Sequence, residues 1–190
     1  MIELEKKLLI SKEEYDHILK TFGYGRSITR QINYYFDTED LSMNMQNITC
    51  RIRLKDGKYQ ATMKQHMSKN DCSTETNMIV KNGIYDNSFV DMGLKLQGEL
   101  ITERSIIIKN ENCEVVLDKN TYLGETDYEV EIEYAADHED EARIVFQKIT
   151  DVLMHHSPTT TQDDITNRIN KTQSKSKRFF ERRLNNEFHT

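Results

Sequence analysis

The feature that most constrains this sequence is a repeated alternation of apolar and charged residues with a period of two. Because successive side chains of a strand point to opposite faces, the pattern predicts strands with one apolar and one charged face. In residues 2–10 the charged face carries Glu3, Glu5 and Lys7. Carboxylates two residues apart on a strand lie about 6.5–7 Å from each other and repel unless a cation lies between them. A divalent metal ion is the obvious candidate for that cation.

Residues 49–64 predict a β-hairpin with a defined register. Asp56-Gly57 separates two strand-like runs, and a two-residue loop of this kind pairs Lys55 with Lys58. Opposed residues share a face, and this register collects cations on one face of the hairpin. Besides the two lysines next to the turn, the cations on this face are Arg51, Arg53 and Lys64. Like charges opposed across a ladder cost stability, which indicates that anions lie among them.

Residues 127–134 form a second acidic segment, and its charged face has no local cation. Its four carboxylates belong to Asp127, Glu129, Glu131 and Glu133. The whole chain contains about eight such strand-like segments. A closed barrel would turn their charged faces inward, where charges persist only with counter-ions. Mg²⁺ or Mn²⁺ suits the acids, and a polyanion such as a chain of phosphates suits the bases.

Helices are predicted around these strands. Ser11 and Glu14 form a capping box that begins a helix over residues 11–22, and residues 137–154 carry an apolar stripe at helical spacing. A basic helix is predicted at about residues 171–184. Residues 81–99 predict one or two helical turns through Leu96, followed by a strand over residues 100–108. The predicted fold class is therefore α+β, an eight-stranded antiparallel β-barrel (tunnel) with flanking helices.

The 190 residues fit a single domain over the whole chain, and the formal net charge of -6 argues against nucleic-acid binding. No apolar run reaches the ~18–20 residues of a membrane span, and no signal peptide is evident at the amino terminus. The three cysteines are widely spaced and odd in number, as expected for reduced thiols in the cytoplasm.

The charged segments occur in an order that resembles the CYTH superfamily, also called triphosphate tunnel metalloenzymes. The resemblance covers nearly the whole chain, so we expect a single CYTH domain. It is carried by Glu3-x-Glu5-x-Lys7 near the amino terminus, Arg51-x-Arg53, Lys64, Arg104, the strand with Glu129, Glu131 and Glu133, and the basic segment around Lys175 and Lys177.

The resemblance implies a role for each of these residues. Glu3, Glu5, Glu131 and Glu133 would bind Mg²⁺ or Mn²⁺, with Asp118 as a further ligand or as an acceptor behind the ligands. Phosphate oxygens would be bound by Lys7, Arg51, Arg53, Lys64, Arg104, Lys175 and Lys177. Lys7, Arg53 and Glu129 would act in catalysis, with Glu129 orienting water or completing the set of metal ligands.

The resemblance implies metal-dependent hydrolysis of a small-molecule triphosphate, either inorganic triphosphate or an organic or nucleoside triphosphate. A class IV adenylyl cyclase and a binding module without catalysis are the two alternatives. One departure from the family pattern lies in residues 72–75, which lack the arginine that many relatives have there. Family members are often dimers, so the resemblance is also compatible with a homodimer.

Overall fold

The computed structural model describes residues 3–23, 27–66, 73–81, 83–85, 88–135, 137–157 and 159–187. The strands are β1 (Glu3–Ile10), β2 (Ile28–Asp37), β3 (Ile48–Lys55), β4 (Lys58–His66), β5 (Ser73–Val80), β6 (Lys95–Lys109), β7 (Cys113–Tyr122) and β8 (Glu125–Ala135). The helices are α1 (Lys12–Phe22), α2 (Ser42–Met45), α3 (Ser88–Asp91), α4 (Glu139–His156), α5 (Gln162–Lys171) and α6 (Lys175–Glu187).

The eight strands form one sheet in the order β1-β8-β7-β6-β2-β3-β4-β5. The β1–β8, β2–β3, β3–β4 and β4–β5 ladders are antiparallel. This confirms the predicted eight-stranded antiparallel sheet with flanking helices. The hydrogen-bonded order has β1 and β5 at its two ends, and no ladder joins these strands within the described parts of the chain.

The β3–β4 hairpin has the register predicted from its turn. Lys55 lies opposite Lys58, and both turn residues adopt positive φ, 51° at Asp56 and 71° at Gly57. Positive φ at both central residues is the geometry of the two-residue turn that matches strand twist. Arg51 and its partner Thr62 therefore lie on one face of the hairpin, and Cys50 lies on the other face.

The start of α1 is also as predicted. The Ser11 side chain accepts a hydrogen bond from the Glu14 backbone, and the Glu14 carboxylate accepts one from the Ser11 backbone. These two bonds satisfy donors that the first turn of a helix otherwise leaves unpaired.

The interpretation of residues 81–99 was wrong in part. A short helix, α3, contains the buried Phe89, but β6 already begins at Lys95, so Leu96 belongs to a strand. Gly98 has a φ of 145° and interrupts the alternation of side chains along β6. A Cβ atom added to Gly98 would point at the ring of Phe179. A glycine inside a strand interrupts the alternation of apolar and polar side chains from which a strand is predicted. For this reason the strand was predicted to begin at residue 100, later than it does.

The basic helix predicted at about residues 171–184 is present as α6, which begins at Lys175 and ends at Glu187. A separate helix, α5, precedes it, and residues 172–174 lie between the two. The start of α5 is a capping box between Thr161 and Asp164. The sequence analysis missed it because the box uses aspartate at the position where glutamate or glutamine is usual.

The chain divides into two compact units. The first contains residues 1–29, 103–120 and 126–172, and its core joins the apolar sides of β1, β7 and β8 to α1, α4 and α5. The second contains residues 30–102, 121–125 and 173–190. It has two buried clusters, one around Phe36 and Ile52 and one around Tyr35, Phe179 and Phe180.

Cys50 and Cys113 are buried free thiols, and burial raises the pKa of Cys50 to about 12. Both are therefore unreactive at neutral pH. Cys72 lies outside the described residues. Among the helices described, none has the length and apolar character needed to cross a membrane.

Candidate active site

The β1–β8 ladder builds an acidic cluster in the first unit. Glu5 lies opposite Glu133 and Lys7 lies opposite Glu131, so the four side chains share one face. Lys7 Nζ lies 2.7 Å from Glu5 Oε1 and 3.8 Å from Glu131 Oε1. The ammonium group therefore separates carboxylates that would otherwise repel each other.

Arg104 of β6 supplies the second cation of this cluster. Its Nε donates to Asp118 Oδ1 at 2.8 Å and its Nη2 donates to Asp118 Oδ2 at 2.7 Å. Nη2 also contacts Glu131 Oε2, and Nη1 lies 3.5 Å from Glu133 Oε1. Burial lowers the pKa of Arg104, but the bonds and charges of these three carboxylates outweigh it and raise the pKa above its ordinary value. The guanidinium is permanently charged and holds the acids together.

Asp118 is the most enclosed acid of the cluster. Its side chain is 0% exposed, and both of its oxygens accept bonds from Arg104. A bidentate pair of this kind fixes the plane and direction of a guanidinium group. This geometry fits the predicted role of an acceptor behind the ligands better than that of a direct metal ligand.

A divalent metal fits the donor chemistry of the cluster, since Mg²⁺ and Mn²⁺ bind carboxylate oxygens. Among the described residues, however, no group of three or more Asp, Glu, His or Cys side chains is arranged as a ready-made metal site. The acids are gathered around Arg104 and Lys7 instead. Glu3 lies opposite Ala135 in the ladder, and its side chain lies outside the described residues.

Glu129 lies on the same strand, two residues before Glu131, and opposite Leu9. Its side chain is among the fully buried charged groups of the chain. Glu129 therefore lies in line with Glu131 and Glu133 along β8 and is shielded from solvent. Its predicted role in orienting water remains a prediction.

The β3–β4 hairpin builds a cationic cluster in the second unit. Arg51 lies opposite Thr62, Arg53 lies opposite Gln60, and Lys64 lies opposite Thr49. On the other side of β3, Tyr35 of β2 lies opposite Arg51, and Asn33 accepts a hydrogen bond of 3.1 Å from Arg53 Nε. Arg51 Nε is buried and has no hydrogen-bond partner among the described residues.

Helix α6 packs on this face of the hairpin and adds two more cations. Thr49 of β3 donates a hydrogen bond of 3.3 Å to Ser176, and the ring of Tyr35 lies 4.7 Å from that of Phe179. The same side of α6 brings the buried Nζ of Lys175 and the buried side chain of Arg178 towards Tyr35. Lys177 is exposed on another side of the helix.

The pKa of the Tyr35 hydroxyl is affected by the positive charge of this cluster. Its ring is 1% exposed, and burial raises the pKa of its hydroxyl. The charges of Arg51, Lys175, Arg53 and Arg178 act in the opposite direction, although the pKa stays above its ordinary value. The positive charge of four side chains therefore acts on this hydroxyl group.

Tyr35 and Arg178 were not among the site residues predicted from the sequence. The spacing of Lys175, Arg178 and Phe179 at i, i+3 and i+4 places them on one helix face, so this signal could have found Arg178. No local pattern identifies Tyr35, because its role depends on the docking of α6. Lys64 is half-buried and lies opposite Glu75 of β5, close to the segment that lacks the family's arginine.

The acidic strand pair and the cationic hairpin can be compared with known proteins. The sequence model of the CYTH domain matches residues 1–163. The chain belongs to the CYTH domain family. A Bacillus subtilis relative named "Putative triphosphatase YjbK" is 29% identical over 163 residues, which cover 78% of this chain and 84% of that protein.

Solved structures share the fold. A Bacillus halodurans protein described as "a putative adenylate cyclase" has a TM-score of 0.66 and 28% identity, with 94% of this chain and 97% of that chain covered. A Hippeastrum protein, described as a "putative adenylyl cyclase" with "a dominant triphophatase activity", has a TM-score of 0.59 and 17% identity. That match covers 80% of this chain and 88% of the Hippeastrum chain. The solved structures that share this fold thus include proteins described by both activities.

Proposed function

We propose that this CYTH protein hydrolyses a small-molecule triphosphate with the help of a divalent metal ion. The observation that carries the proposal is the gathering of Arg51, Arg53, Lys175 and Arg178 around Tyr35 in the second unit. Cations collected on one face repel one another, and a chain of phosphates bound there would reduce that repulsion. The Bacillus subtilis relative named as a triphosphatase supports the same substrate class.

The cationic cluster would bind the phosphate oxygens. A guanidinium group forms paired hydrogen bonds with a phosphate, and the buried Nε of Arg51 is available for such a bond. Arg53 is oriented by Asn33, and Lys175 adds a point charge from α6. In phosphoryl transfer, negative charge spreads over the oxygens of the transferred group, so fixed cations stabilise the transition state.

The acidic cluster would hold the metal ion. Glu3, Glu5, Glu131 and Glu133 are the residues that would bind Mg²⁺ or Mn²⁺, with Arg104 and Asp118 keeping Glu131 in position. When bound, such a metal neutralises phosphate charge and orients the phosphate for in-line attack. Lys7 stays between Glu5 and Glu131, where its ammonium group can donate to a phosphate oxygen. Glu129 would orient the attacking water or complete the set of metal ligands.

The second candidate is an adenylyl cyclase. It is favoured by the 28% identity with the Bacillus halodurans protein described as a putative adenylate cyclase. Both reactions use the same phosphate and metal contacts. They differ in the nucleophile, which is water in a hydrolase and the ribose 3′ hydroxyl in a cyclase.

A panel of substrates tests the proposal. Purified protein is incubated with inorganic triphosphate, thiamine triphosphate or ATP, each with Mg²⁺ or Mn²⁺, and both phosphate and cyclic AMP are measured. We expect phosphate release from at least one substrate, no cyclic AMP, and no release when the metal is chelated. Cyclic AMP formed from ATP would favour the cyclase, and tight binding of triphosphate without turnover would favour a binding module.

Variants on one strand provide matched controls. Arg51→Gln should lower phosphate release by about 10²–10³-fold, by analogy with the removal of one transition-state donor. Lys55→Gln changes an exposed cation at the end of the same strand and on the same face, and should leave the rate unchanged. Equal rates for the two variants would contradict the assignment of the phosphate site to Arg51.

A further inference from the structure

The last residues of β1 lie against the end of α5. Because β1 is at one end of the sheet order, the backbone groups on its outer side have no neighbouring strand to pair with among the residues that the structure describes. At Leu9 both of these groups have partners from α5 and the residue after it. Arg168 Nη2 donates to Leu9 O at 2.7 Å, and Leu9 N donates to Thr172 Oγ1 at 3.2 Å.

Arg168 also joins β1 to the start of α1. Its Nη1 donates to Glu14 Oε1 at 2.9 Å and its Nη2 donates to Glu14 Oε2 at 2.7 Å. Glu14 is the capping-box residue of α1 and accepts a bond of 2.7 Å from Ser11 N. One guanidinium group therefore fixes both the end of the strand and the helix that follows it.

Thr172 completes this network. Its hydroxyl donates to Arg168 O at 2.8 Å while it accepts from Leu9 N. The Glu14 side chain is only 11% exposed, and that of Arg168 is 31% exposed. Hydrogen bonds between charged groups that are largely shielded from water are stronger than exposed ones. The bonds therefore restrain Leu9 from the side that no strand covers.

We propose that Arg168 and Thr172 are positioning residues for β1 and thereby for Glu5 and Lys7. This inference rests on the proposed function of those two side chains. Leu9 lies two residues after Lys7 on the same strand, and its restraint limits fraying of β1 and movement of Lys7 relative to Glu131. A displacement of about 1 Å in a catalytic group can cost roughly 10²-fold in rate. Arg168 and Thr172 lie beyond residues 1–163, the part matched by the family model.

Variants of Thr172 test this inference with little disturbance of packing. Thr172→Val keeps the shape of the side chain and removes the hydroxyl, whereas Thr172→Ser keeps the hydroxyl. Arg168→Gln removes the guanidinium, and Lys171→Gln changes an exposed cation on the same helix as a control. The measurements are amide hydrogen exchange at Leu9, Mn²⁺ binding without substrate followed by electron paramagnetic resonance, and kcat and KM for triphosphate.

We expect Thr172→Val and Arg168→Gln to raise the exchange rate at Leu9 by about 10-fold or more, since local opening becomes easier. Both should lower kcat by about 10-fold or more and weaken Mn²⁺ binding, while Thr172→Ser and Lys171→Gln behave as wild type. Faster exchange with unchanged kcat and Mn²⁺ binding would overturn the inference, and so would unchanged exchange at Leu9. Wild-type protein that releases no phosphate would overturn the proposed function instead, and the exchange and Mn²⁺ data would still decide the role of Thr172.

Discussion

At the scale of single residues, Arg104 has a role that its sequence context does not reveal. The resemblance to the family predicted a phosphate contact, and the structure engages its guanidinium with Asp118, Glu131 and Glu133. Asp118 has no exposed side-chain surface, and Glu131 has 7%. Burying the charge of a carboxylate costs free energy unless a cation compensates it. Arg104 is therefore a structural requirement of the acidic cluster, whether or not it also binds phosphate.

Arg104→Gln should lower the free energy of unfolding by about 3–5 kcal/mol, because it leaves buried carboxylates without their counter-charge. The measurement is urea denaturation without metal or substrate. Arg143→Gln is the matched control, since Arg143 and Asp140 form an exposed pair with side chains that are 75% and 90% exposed.

Surface pairs contribute roughly 0–1 kcal/mol, so the control should stay close to wild type. If Arg104 served only to bind phosphate, Arg104→Gln would leave the stability of the ligand-free protein unchanged or increase it. That result would contradict the structural role.

At the scale of elements, the packing of α6 determines which of its lysines lies on the cationic face of the second unit. Phe179 and Phe180 pack against Tyr35 and anchor the helix. Gly98 of β6 allows this approach, because a Cβ at that position would lie 3.0 Å from the Phe179 ring. With the helix anchored in this way, the Lys175 side faces the cluster and the Lys177 side faces solvent.

The two lysines of α6 therefore form a matched pair of test positions. Lys175→Gln should weaken the binding of inorganic triphosphate by about 10–100-fold, the usual range for losing a hydrogen bond to a charged group. Lys177→Gln should change binding by less than about 2-fold, because an exposed charge contributes little. Isothermal titration calorimetry measures both constants. A larger effect of Lys177→Gln would mean that the phosphate site lies on the other side of the helix.

At the scale of the whole molecule, the two units carry different kinds of charged cluster. The acids of β1 and β8 belong to the first unit, and the cations of β3 and α6 belong to the second. The proposed function assigns metal binding to the acids and phosphate binding to the cations. The stability of the whole chain has a separate dependence on pH through Glu14.

Burial raises the pKa of Glu14. Its hydrogen bonds to Arg168 and Ser11 and the charge of Arg168 lower this pKa by more than burial raises it, so the pKa lies below its ordinary value of 4.5. Ionised Glu14 therefore stabilises the fold at pH values above about 4.5, and this contribution is lost as the pH falls through the folded pKa. Glu14→Gln should cost about 1.5–3 kcal/mol at pH 7 and much less at pH 3. Urea denaturation at the two pH values measures this, with Asp140→Asn as the exposed control. A cost that does not depend on pH would contradict it.

The sequence by itself determined the features that depend on local periodicity and turn chemistry. Alternation predicted the apolar and charged faces of β1 and β8, and Asp56-Gly57 predicted the hairpin register. The capping box at Ser11 predicted the start of α1. These signals are local, since each depends on residues no more than a few positions apart. Where the local signal was unusual, the prediction failed: the strand that contains Gly98 was predicted to begin too late, and the helix that begins after Thr161 was not predicted.

Only the tertiary structure decided which charged groups meet. Arg168 and Glu14 are 154 residues apart in sequence, and Arg104 and Asp118 are 14 apart on different strands. A period of two or of 3.6 specifies the face on which a side chain lies, but not the atoms that lie opposite it. Those partners are set by strand order and by helix docking, which depend on the burial of apolar surface over the whole unit. For this reason the alternation along β1 placed Lys7 on the same face as Glu5, but Lys7 acquired its neighbour Glu131 only in the folded ladder.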